Sequence, residues 1–291
     1  MKKLLVIAFF GLCMFQLASC TNKPESEIKP QNEVPDIQAN TQRITCGDLL
    51  TYADLGGSAI DVAANETHVF RVAANRVVQV YNPTSLNWIS LGGQAKRITV
   101  DAANNIWIVN HRNEIYRTSY NANTQTVSGW ARQSGKATDI GASLSGRVYI
   151  LGDSERNGEF AVYRRSGSSW VKMRGSGRRI AGGNSGADIW LINKHNDIYK
   201  YVNNNWTKIS GRARDIAQSG GSNPHLYIVG NTSQGSDGYD VYVYNGGWCK
   251  VRGIGTNIAA MGQFPILTNG RNKIYKGCKV LSDGISSICP F

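Results

Sequence analysis

The sequence shows few of the features that mark catalytic or metal-binding proteins. It has no Cys-x-x-Cys pair, and its His residues do not lie at zinc-site spacing from the cysteines. No nucleophile motif surrounds a Ser residue, so a Ser-His-Asp triad is not recognisable. Acidic residues are sparse, with 20 Asp and Glu against 32 Lys and Arg. Two carboxylates from distant parts of the chain could still meet, but we predict a protein that is not an enzyme and uses no metal or cofactor.

Helical stretches rich in Ala, Leu, Glu and Lys are also absent, and the body of the chain has no apolar run long enough to cross a membrane. The one marked apolar run, Leu4–Phe15, follows Lys2 and Lys3. It is too short for a stable membrane helix, so it is typical of a secretory signal.

This run ends in Leu17-Ala18-Ser19-Cys20, which resembles the lipobox of bacterial lipoproteins. The resemblance implies that residues 1–19 are a lipoprotein signal peptide and that Cys20 is lipidated. The protein would then be anchored in the bacterial cell envelope rather than span it. Thr, not Asp, follows the Cys, which implies the outer membrane by the bacterial sorting convention. The alternative is an ordinary cleaved signal that happens to end in Cys.

The next segment has little to bury. Residues 20–42 contain Pro24, Pro30 and Pro35 and no aromatic residue. We expect a disordered tether after the lipidated Cys, with residues 43–291 as the folded body. Without Lys2 and Lys3 the net charge of the chain falls from +12 to +10.

Five tryptophans recur along the body at nearly constant spacing. They lie 42, 40, 36 and 42 residues apart, at Trp88, Trp130, Trp170, Trp206 and Trp248. Each begins a segment that ends in Gly, such as WISLGG and WTKISG. An apolar position follows, at Ile98, Ile140, Ile180, Ile216 and Ile258, with Ile60 in the first copy. Each copy ends in a Tyr segment, at Tyr116, Tyr163, Tyr199, Tyr242 and Tyr275, and Tyr81 stands two places late in the first copy.

Each copy of about 40 residues holds four short segments of alternating apolar and polar residues, and this pattern describes one propeller blade. Such segments are typical of half-buried strands. Because the copies number six, we predict an all-β fold, a six-bladed β-propeller of four-stranded antiparallel blades.

The sixth copy lacks its Trp segment. The missing piece lies at the front of the body, where YADLGG (Tyr52–Gly57) aligns with WISLGG. We therefore expect the N-terminal segment to supply the outer strand of the last blade, which removes the open edges of an incomplete ring.

Four cysteines remain in the body: Cys46, Cys249, Cys278 and Cys289. In an exported chain they favour two disulfides, with three possible pairings. Because Cys46 precedes the closing strand and Cys278 follows its neighbour, we expect Cys46–Cys278 and Cys249–Cys289. Cys46–Cys289 is the main alternative.

Two stretches carry the repeat most clearly, WARQSGKATDIGAS and ADIWLINKHNDIYKYVNNNWTKISGRARDIAQ. They resemble the tectonin repeat, and the resemblance covers roughly residues 50–278. Tectonin proteins are six-bladed propellers, and many are lectins that recognise lipopolysaccharide, N-acetylglucosamine or methylated glycans. The resemblance therefore implies glycan partners, which we expect to be anionic or amino sugars. We expect no nucleic-acid partner, and protein partners stay open.

One face of the ring should be basic. In a four-stranded blade, the turn between strands 2 and 3 and the link to the next blade lie on the same face. The candidate ligand-binding residues on this face are Lys96, Arg97, Asn110, Arg112, Asn113, Lys136, Arg178, Arg179, Asn193, Asn196, Arg212, Arg214, Asn269, Arg271 and Asn272. Such a surface would attract an anionic partner. The alternative is that a basic protein simply carries its Lys and Arg in loops.

Two regularities have both a structural and a functional interpretation. An Asn-x-x-Asn pattern recurs in the turns of the second, fourth and sixth copies, where Asn either stabilises the turn or binds sugar hydroxyls. The recurring tryptophans either pack between blades or stack on sugars. We predict a surface-anchored lectin-like protein that recognises envelope or foreign glycans. The alternative is a non-catalytic scaffold that docks protein partners at the outer membrane.

Overall fold

The computed structural model describes residue 44 and residues 46–185, 188–221, 224–281, 284, 286–289 and 291. The predicted signal peptide, Cys20 and the predicted tether lie outside the described residues. Within the described ranges the helical structure is one short 3-10 turn, Gly235–Asp237, and no helix there has the length and apolarity to cross a membrane.

The described strands form six antiparallel sheets, each a blade. Blade 1 contains β2 (Ala59–Ala64), β3 (Val69–Ala73), β4 (Val77–Asn82) and β5 (Asn87–Gln94). Blade 2 contains β6 (Arg97–Val100), β7 (Asn105–Val109), β8 (Glu114–Asn121), β9 (Thr126–Val127) and β10 (Ala131–Lys136). Blade 3 contains β11 (Asp139–Ala142), β12 (Val148–Arg156), β13 (Glu159–Ser166) and β14 (Ser169–Gly177).

The remaining blades follow the same order. Blade 4 contains β15 (Arg179–Gly182), β16 (Ile189–Ile192), β17 (Asp197–Val202) and β18 (Asn205–Arg212). Blade 5 contains β19 (Asp215–Gln218), β20 (Leu226–Ser233), β21 (Tyr239–Tyr244) and β22 (Trp248–Gly255). Blade 6 contains β23 (Asn257–Met261), β24 (Phe264–Thr268), β25 (Ile274–Val280), the short β26 (Ser287–Ile288) and, from the other end of the chain, β1 (Leu50–Asp54).

The first strand closes the ring. β1 pairs antiparallel with β25, and Tyr52 lies opposite Gly277. The predicted six-bladed propeller, with its last blade completed by the N-terminal strand, is confirmed. Closure leaves no blade with a missing outer strand, which would expose unpaired backbone groups.

The recurring aromatic residues form a ring of hydrogen bonds between blades. Each donates its side-chain N–H or O–H to a backbone carbonyl on the outer strand of the preceding blade or, for Trp88, to the residue just after that strand. The pairs are Trp88–Leu55, Trp130–Leu91, Trp170–Ser134, Trp206–Arg174, Trp248–Ser210 and Tyr52–Arg252, at 2.6–3.0 Å. The structural interpretation of the tryptophans is confirmed, and Tyr52 takes the Trp place in blade 6 as the alignment predicts.

The Gly that ends each Trp segment leaves room for the next blade's ring. At Gly211 an added Cβ would lie 2.7 Å from Trp248 Nε1, and the backbone has φ +99°. Both the left-handed backbone and the close ring therefore require Gly. Gly175 has the same relation to Trp206, with φ +95°.

We expect Gly211→Ala to lower the free energy of unfolding by about 2 kcal/mol or more, because it adds backbone strain and displaces an indole. Urea unfolding followed by tryptophan fluorescence measures the change. The control is Gly246→Ala, where φ is +75° and an added Cβ would meet nothing within 4 Å. If the two variants unfold alike, the indole contact is not what fixes the motif.

The innermost strand of each blade lines the central channel. One apolar position of this strand repeats with nearly equal burial, at 4–5 % exposure, in Val62, Ile98, Ile140, Ile180, Ile216 and Ile258. The prediction of Ile60 for the first copy is wrong by two residues. A bulge between Ala59 and Asp61 shifts the register, so that Asp61 faces Val72 as Arg97 faces Val109.

The two disulfides are Cys46–Cys249 and Cys278–Cys289. Both expected pairings, and the alternative Cys46–Cys289, are therefore wrong. The tail returns to blade 6, where β26 pairs with β25 and Lys279 faces Ile288. Cys289 thus lies beside Cys278, with the two Cα atoms 4.5 Å apart.

The chain before β1 packs against blade 6 and also against blade 5. Ile44 is fully buried in a cluster with Tyr227 and Val241 of that blade, and its backbone N–H donates to His225 Nε2 at 3.2 Å. This course brings Cys46 to Cys249, with a Cα separation of 5.3 Å. Cys46 therefore fastens the closing segment to the neighbouring blade.

Candidate functional site

Alternating charges ring one end of the central channel. The first channel-facing residue of each inner strand is in turn Asp61, Arg97, Asp139, Arg179, Asp215 and Asn257. Arg97 lies 3.5 Å from both Asp61 and Asp139. Arg179 lies 3.5 Å from Asp139 and 2.9 Å from Asp215. We call these six residues the channel ring.

The channel ring also connects the blades through backbone bonds. One carboxylate oxygen of each Asp accepts the N–H of the apolar residue at the start of the next blade's inner strand. The pairs are Asp61–Ile98, Asp139–Ile180 and Asp215–Ile258, at 2.8–2.9 Å. Asn257 completes the circle by donating to the Ile60 carbonyl at 3.1 Å.

Burial is the largest single influence on the pKa values of Asp61, Asp215 and Arg179 in the channel ring. It raises the pKa of Asp61 to about 6, although Arg97 and Arg179 lower it. It also raises the pKa of Asp215, against the opposing effect of Arg179. Burial alone would lower the pKa of Arg179, but the neighbouring carboxylates outweigh it and the net shift is upward. The Arg179 guanidinium is therefore a counterion that opposes the effect of burial on the pKa values of Asp61 and Asp215.

The candidate basic residues thus fall into two groups. Arg97 and Arg179 point into the channel ring, while the exposed members lie around the outside of the same face: Arg112, Lys136, Arg178, Arg212, Arg214 and Arg271. Some of the exposed charges face acids, as Arg271 does with Asp237 at 2.9 Å. Lys96 is partly buried and donates to Asn113 Oδ1 at 2.5 Å.

The paired Asn residues build their turns. Oδ1 of the first Asn accepts two backbone N–H groups, as in Asn193, which bonds His195 and Asp197 at 2.9 and 2.8 Å. Asn110 and Asn269 make the same pairs of bonds. The second Asn adopts a left-handed backbone, at Asn113, Asn196 and Asn272. The turn role is therefore present in all three copies, and sugar binding by these amides stays a prediction.

Three equivalent clefts open between neighbouring blades on this face. We call the aromatic residue that hydrogen-bonds to the preceding blade the rim aromatic, and the Gly that ends each Trp segment the rim Gly. Each cleft lies beside the half-buried rim aromatic of one blade, a Tyr from the third strand of that blade, and the rim Gly of the preceding blade. The first is lined by Gly135, Lys136, Ile150, Gly152, Asp153, Ser154, Ala161, Tyr163 and Trp170, the second by Glu159, Gly175, Ser176, Leu191, Asn193, Tyr199 and Trp206, and the third by Tyr52, Asp237, Arg252, Gly253, Ile254, Leu267, Asn269, Arg271 and Tyr275. Their volumes are about 210, 150 and 390 Å³.

The corresponding place in blade 1 is filled. Arg71 takes the apolar position of the second strand and lies 4.2 Å from the Trp88 ring. Gln79, which faces Arg71 across the strand pair, takes the Tyr position and accepts a hydrogen bond from Arg71 Nε at 2.7 Å. The late Tyr81 of the first copy is thereby explained, since it faces Trp88 instead.

The sequence model of the Tectonin domain matches residues 42–158 and 154–253, which together are more than half of the chain. The chain belongs to the tectonin family. None of the curated proteins matches it in sequence.

Solved structures place the tectonin ring among propellers in general. The chain is similar to a luciferin-regenerating enzyme, with 9% identity, a TM-score of 0.53, and coverage of 78% of this chain and 95% of the other. It is also similar to the WD40 repeats of RRP9, with 8% identity, a TM-score of 0.52, and coverage of 82% and 99%. At these identities the likeness shows the fold alone.

The sequence predicts only some of the residues that line the clefts. Lys136, Asn193, Asn269 and Arg271 are predicted candidates, and each lines a cleft. The tyrosines of the clefts mark the repeat in the sequence but are not predicted as site residues. Their shared register with the second strand, as in Tyr163 opposite Ile150, is the signal that could have placed them beside the rim tryptophans.

The described residues contain no group of three or more His, Cys, Asp and Glu that could hold a metal ion. The clefts present aromatic faces, amides, hydroxyls and cationic side chains, and each also contains one carboxylate, that of Asp153, Glu159 or Asp237. Such groups bind sugars by stacking and hydrogen bonding.

Proposed function

We propose that this tectonin propeller is a lectin-like protein whose glycan sites are the three equivalent clefts. The observation that carries the proposal is their repetition. The same combination of a rim aromatic, a Tyr and polar groups from the facing turn or preceding blade recurs at three blade boundaries. A structural role explains the hydrogen bond of each rim aromatic, but it leaves the ring faces half-exposed beside a cleft.

The chemistry of each cleft suits a sugar edge. In the second cleft, Trp206 uses its N–H on the preceding blade, so its ring face is the part that a ligand can contact. Tyr199 and Leu191 add apolar surface, and Ser176 and Asn193 add polar groups. A single shallow site of this kind binds weakly, whereas three sites on one ring raise avidity.

The basic residues favour glycans that carry negative charge. Lys136 lines the first cleft beside Asp153, and Arg271 lines the third, where it pairs with Asp237. The positive charge around the clefts comes from exposed residues of the same face, Arg112, Arg178, Arg212 and Arg214, and such cations attract anionic ligands. Phosphorylated lipopolysaccharide is therefore one proposed ligand, and amino sugars of the N-acetylglucosamine type are proposed from the tectonin resemblance instead of from charge. We also propose that the protein is held in the outer membrane through a lipid on Cys20, since the lipobox-like segment and the polar spacer precede the propeller.

A glycan array with the purified protein, followed by titration, tests the sites. The triple variant Tyr163→Leu, Tyr199→Leu and Tyr275→Leu is expected to weaken binding to an array-positive glycan at least 10-fold, because each change removes an aromatic face from one cleft. The matched control is Tyr116→Leu with Tyr242→Leu, which changes the same register position in blades 2 and 5.

A blank array would overturn the lectin proposal. It would then favour the second candidate, a scaffold for envelope proteins, which the open propeller face also permits. Equal losses in the triple variant and the control would show instead that glycans bind elsewhere on the ring.

A further inference from the structure

A separate cleft of about 640 Å³ lies between blades 2 and 3 on the opposite face of the ring. Its walls are the turn after β6 and the turn after β11, together with three side chains, Trp107, Arg117 and Arg165. This size is within the usual range for small-molecule sites. Its lining shares no residue with the three clefts of the proposed glycan surface.

Two arginines share one indole in this cleft. The guanidinium carbon of Arg165 lies 4.3 Å from the Trp107 ring centre, and that of Arg117 lies 5.5 Å from it. Neither arginine forms an ion pair with a carboxylate of the described residues. Burial and the charge of Arg117 both lower the pKa of Arg165. Two like charges thus lie together without a counterion in the described part of the chain.

Three buried donors of these side chains have no acceptor among the described residues: Trp107 Nε1, Arg117 Nε and Arg165 Nη1. The other bonds of the two arginines are local, from Arg117 to Asn105 Oδ1 at 2.6 Å and from Arg165 to the Gly167 carbonyl at 2.8 Å. Buried donors without acceptors are uncommon and costly. All three side chains line the same cleft.

Blade 4 provides an internal comparison, because the same positions are satisfied there. Trp190 corresponds to Trp107, and its N–H donates to Gln218 Oε1 at 2.8 Å. Lys200, which faces Trp190 across the strand pair, forms an ion pair with Asp188 at 3.2 Å. In blade 3, which follows Trp107, Ala142 ends the inner strand at the position where blade 5 has Gln218.

Blades 2 and 4 also differ in the charge of the residue that contacts the basic side chain. Asn105 stands in blade 2 where blade 4 has Asp188, so Arg117 meets a neutral amide instead of a carboxylate. Asp101 also lines the cleft, but its oxygens accept three hydrogen bonds from its own turn, from Ala103 N, Asn105 N and Asn105 Nδ2. The cleft therefore keeps more positive charge than the described residues offset.

We propose that this cleft binds the oxyanion of a small ligand, a carboxylate or a phosphate, held by the guanidinium groups of Arg117 and Arg165. Arginine forks match the geometry of both anions and bind them through paired hydrogen bonds. The cleft has room beyond the anion, so a sugar acid or sugar phosphate is the ligand class that fits. The proposal stands independently of the lectin function, because it concerns other residues on the opposite face.

Calorimetric titration of the full chain with glucuronate, glucose 6-phosphate, inorganic phosphate and neutral glucose tests the site. We expect binding of at least one anion, no comparable binding of glucose, and an affinity that falls with added salt. Glucuronate binding alone identifies a carboxylate site, whereas binding of the two phosphates identifies a phosphate site. Absence of binding by every anion overturns the proposal.

Arg165→Gln is expected to weaken anion binding at least 10-fold. It should not lower the thermal unfolding midpoint, since it removes one of two adjacent like charges. Lys200→Gln, the matched change in blade 4, is expected to leave anion binding unchanged. Equal affinity in wild type and Arg165→Gln, or an equal loss in both variants, overturns the site. The triple Tyr variant should keep this binding, so a failure here is distinct from a failure of the lectin proposal.

Discussion

Replacing Arg179 by Met is expected to lower the free energy of unfolding by about 3–5 kcal/mol at pH 8, which is the usual cost of removing one partner from a buried charge network. Arg179 is the counterion of two carboxylates, at 2.9 Å from Asp215 and 3.5 Å from Asp139. Without it Asp215 is buried without its ion-pair partner, and Asp139 keeps only Arg97, at 3.5 Å. Urea unfolding at fixed pH measures the loss.

The loss should depend on pH in a defined direction. Asp61 already has a pKa raised to about 6 in the folded protein, from 3.8. A carboxyl with a raised folded pKa binds its proton more tightly when folded, so stability falls as the pH rises from about 4 to 6. Because Arg179 lowers the pKa of Asp61 and of Asp215, removing it raises both values further. The deficit of Arg179→Met is therefore expected to be smaller at pH 4.5 than at pH 8.

Arg178→Met is the matched control, since Arg178 is the preceding residue and is exposed. Its Nε donates to the Gly158 carbonyl at 2.8 Å, and we expect a change within about 0.5 kcal/mol, as for most surface substitutions. An Arg179→Met deficit that equals that of Arg178→Met, or that does not change between the two pH values, would contradict the channel ring as a buried ion network.

Removing the Cys46–Cys249 disulfide is expected to destabilise the protein more than removing Cys278–Cys289. The two bonds join residues 203 and 11 positions apart. In the chain-entropy account these separations correspond to about 5 and about 3 kcal/mol. The double Ser variants, Cys46→Ser with Cys249→Ser and Cys278→Ser with Cys289→Ser, should rank in this order in urea unfolding.

Peptide mapping without reduction checks the same pairing covalently. A linked peptide that contains Cys46 and Cys249 is expected, and one that joins Cys46 to Cys278 would contradict the structure. The reverse order of stability in the two double variants would show that the long connection does not restrain the unfolded chain.

The sequence predicts those parts of the fold that repeat. The Trp spacing predicts the repeat because each blade uses its recurring aromatic residue for the same hydrogen bond to the preceding blade, and the count of the apolar positions predicts six blades. The closing strand is predictable because Tyr52 keeps that bond with a hydroxyl in place of an indole. The Ile60 assignment is wrong because a bulge shifts the register of the first inner strand. A bulge that occurs in a single copy cannot be recognised from the repeat.

The sequence repeat does not predict the features that occur in only one part of the chain. The course of the chain around Ile44, which decides the disulfides, depends on burial against blade 5. The sequence pattern places Arg97 and Arg179 in the exposed links between blades. In the structure they are the first residues of inner strands, and their side chains face the channel. The cleft at Trp107 exists because blade 3 provides no acceptor for the indole N–H. Ala142 occupies the position at which blade 5 provides Gln218 to Trp190. Such a deficit becomes visible only when two copies are compared in three dimensions.

The position of Cys46 also determines how the ring responds to mechanical load. A pull applied to the chain ahead of Cys46 meets a covalent bond to blade 5 before it reaches the pairing of β1 with β25. The force is therefore shared with an intact neighbouring sheet, and β1 is shielded from being peeled away residue by residue.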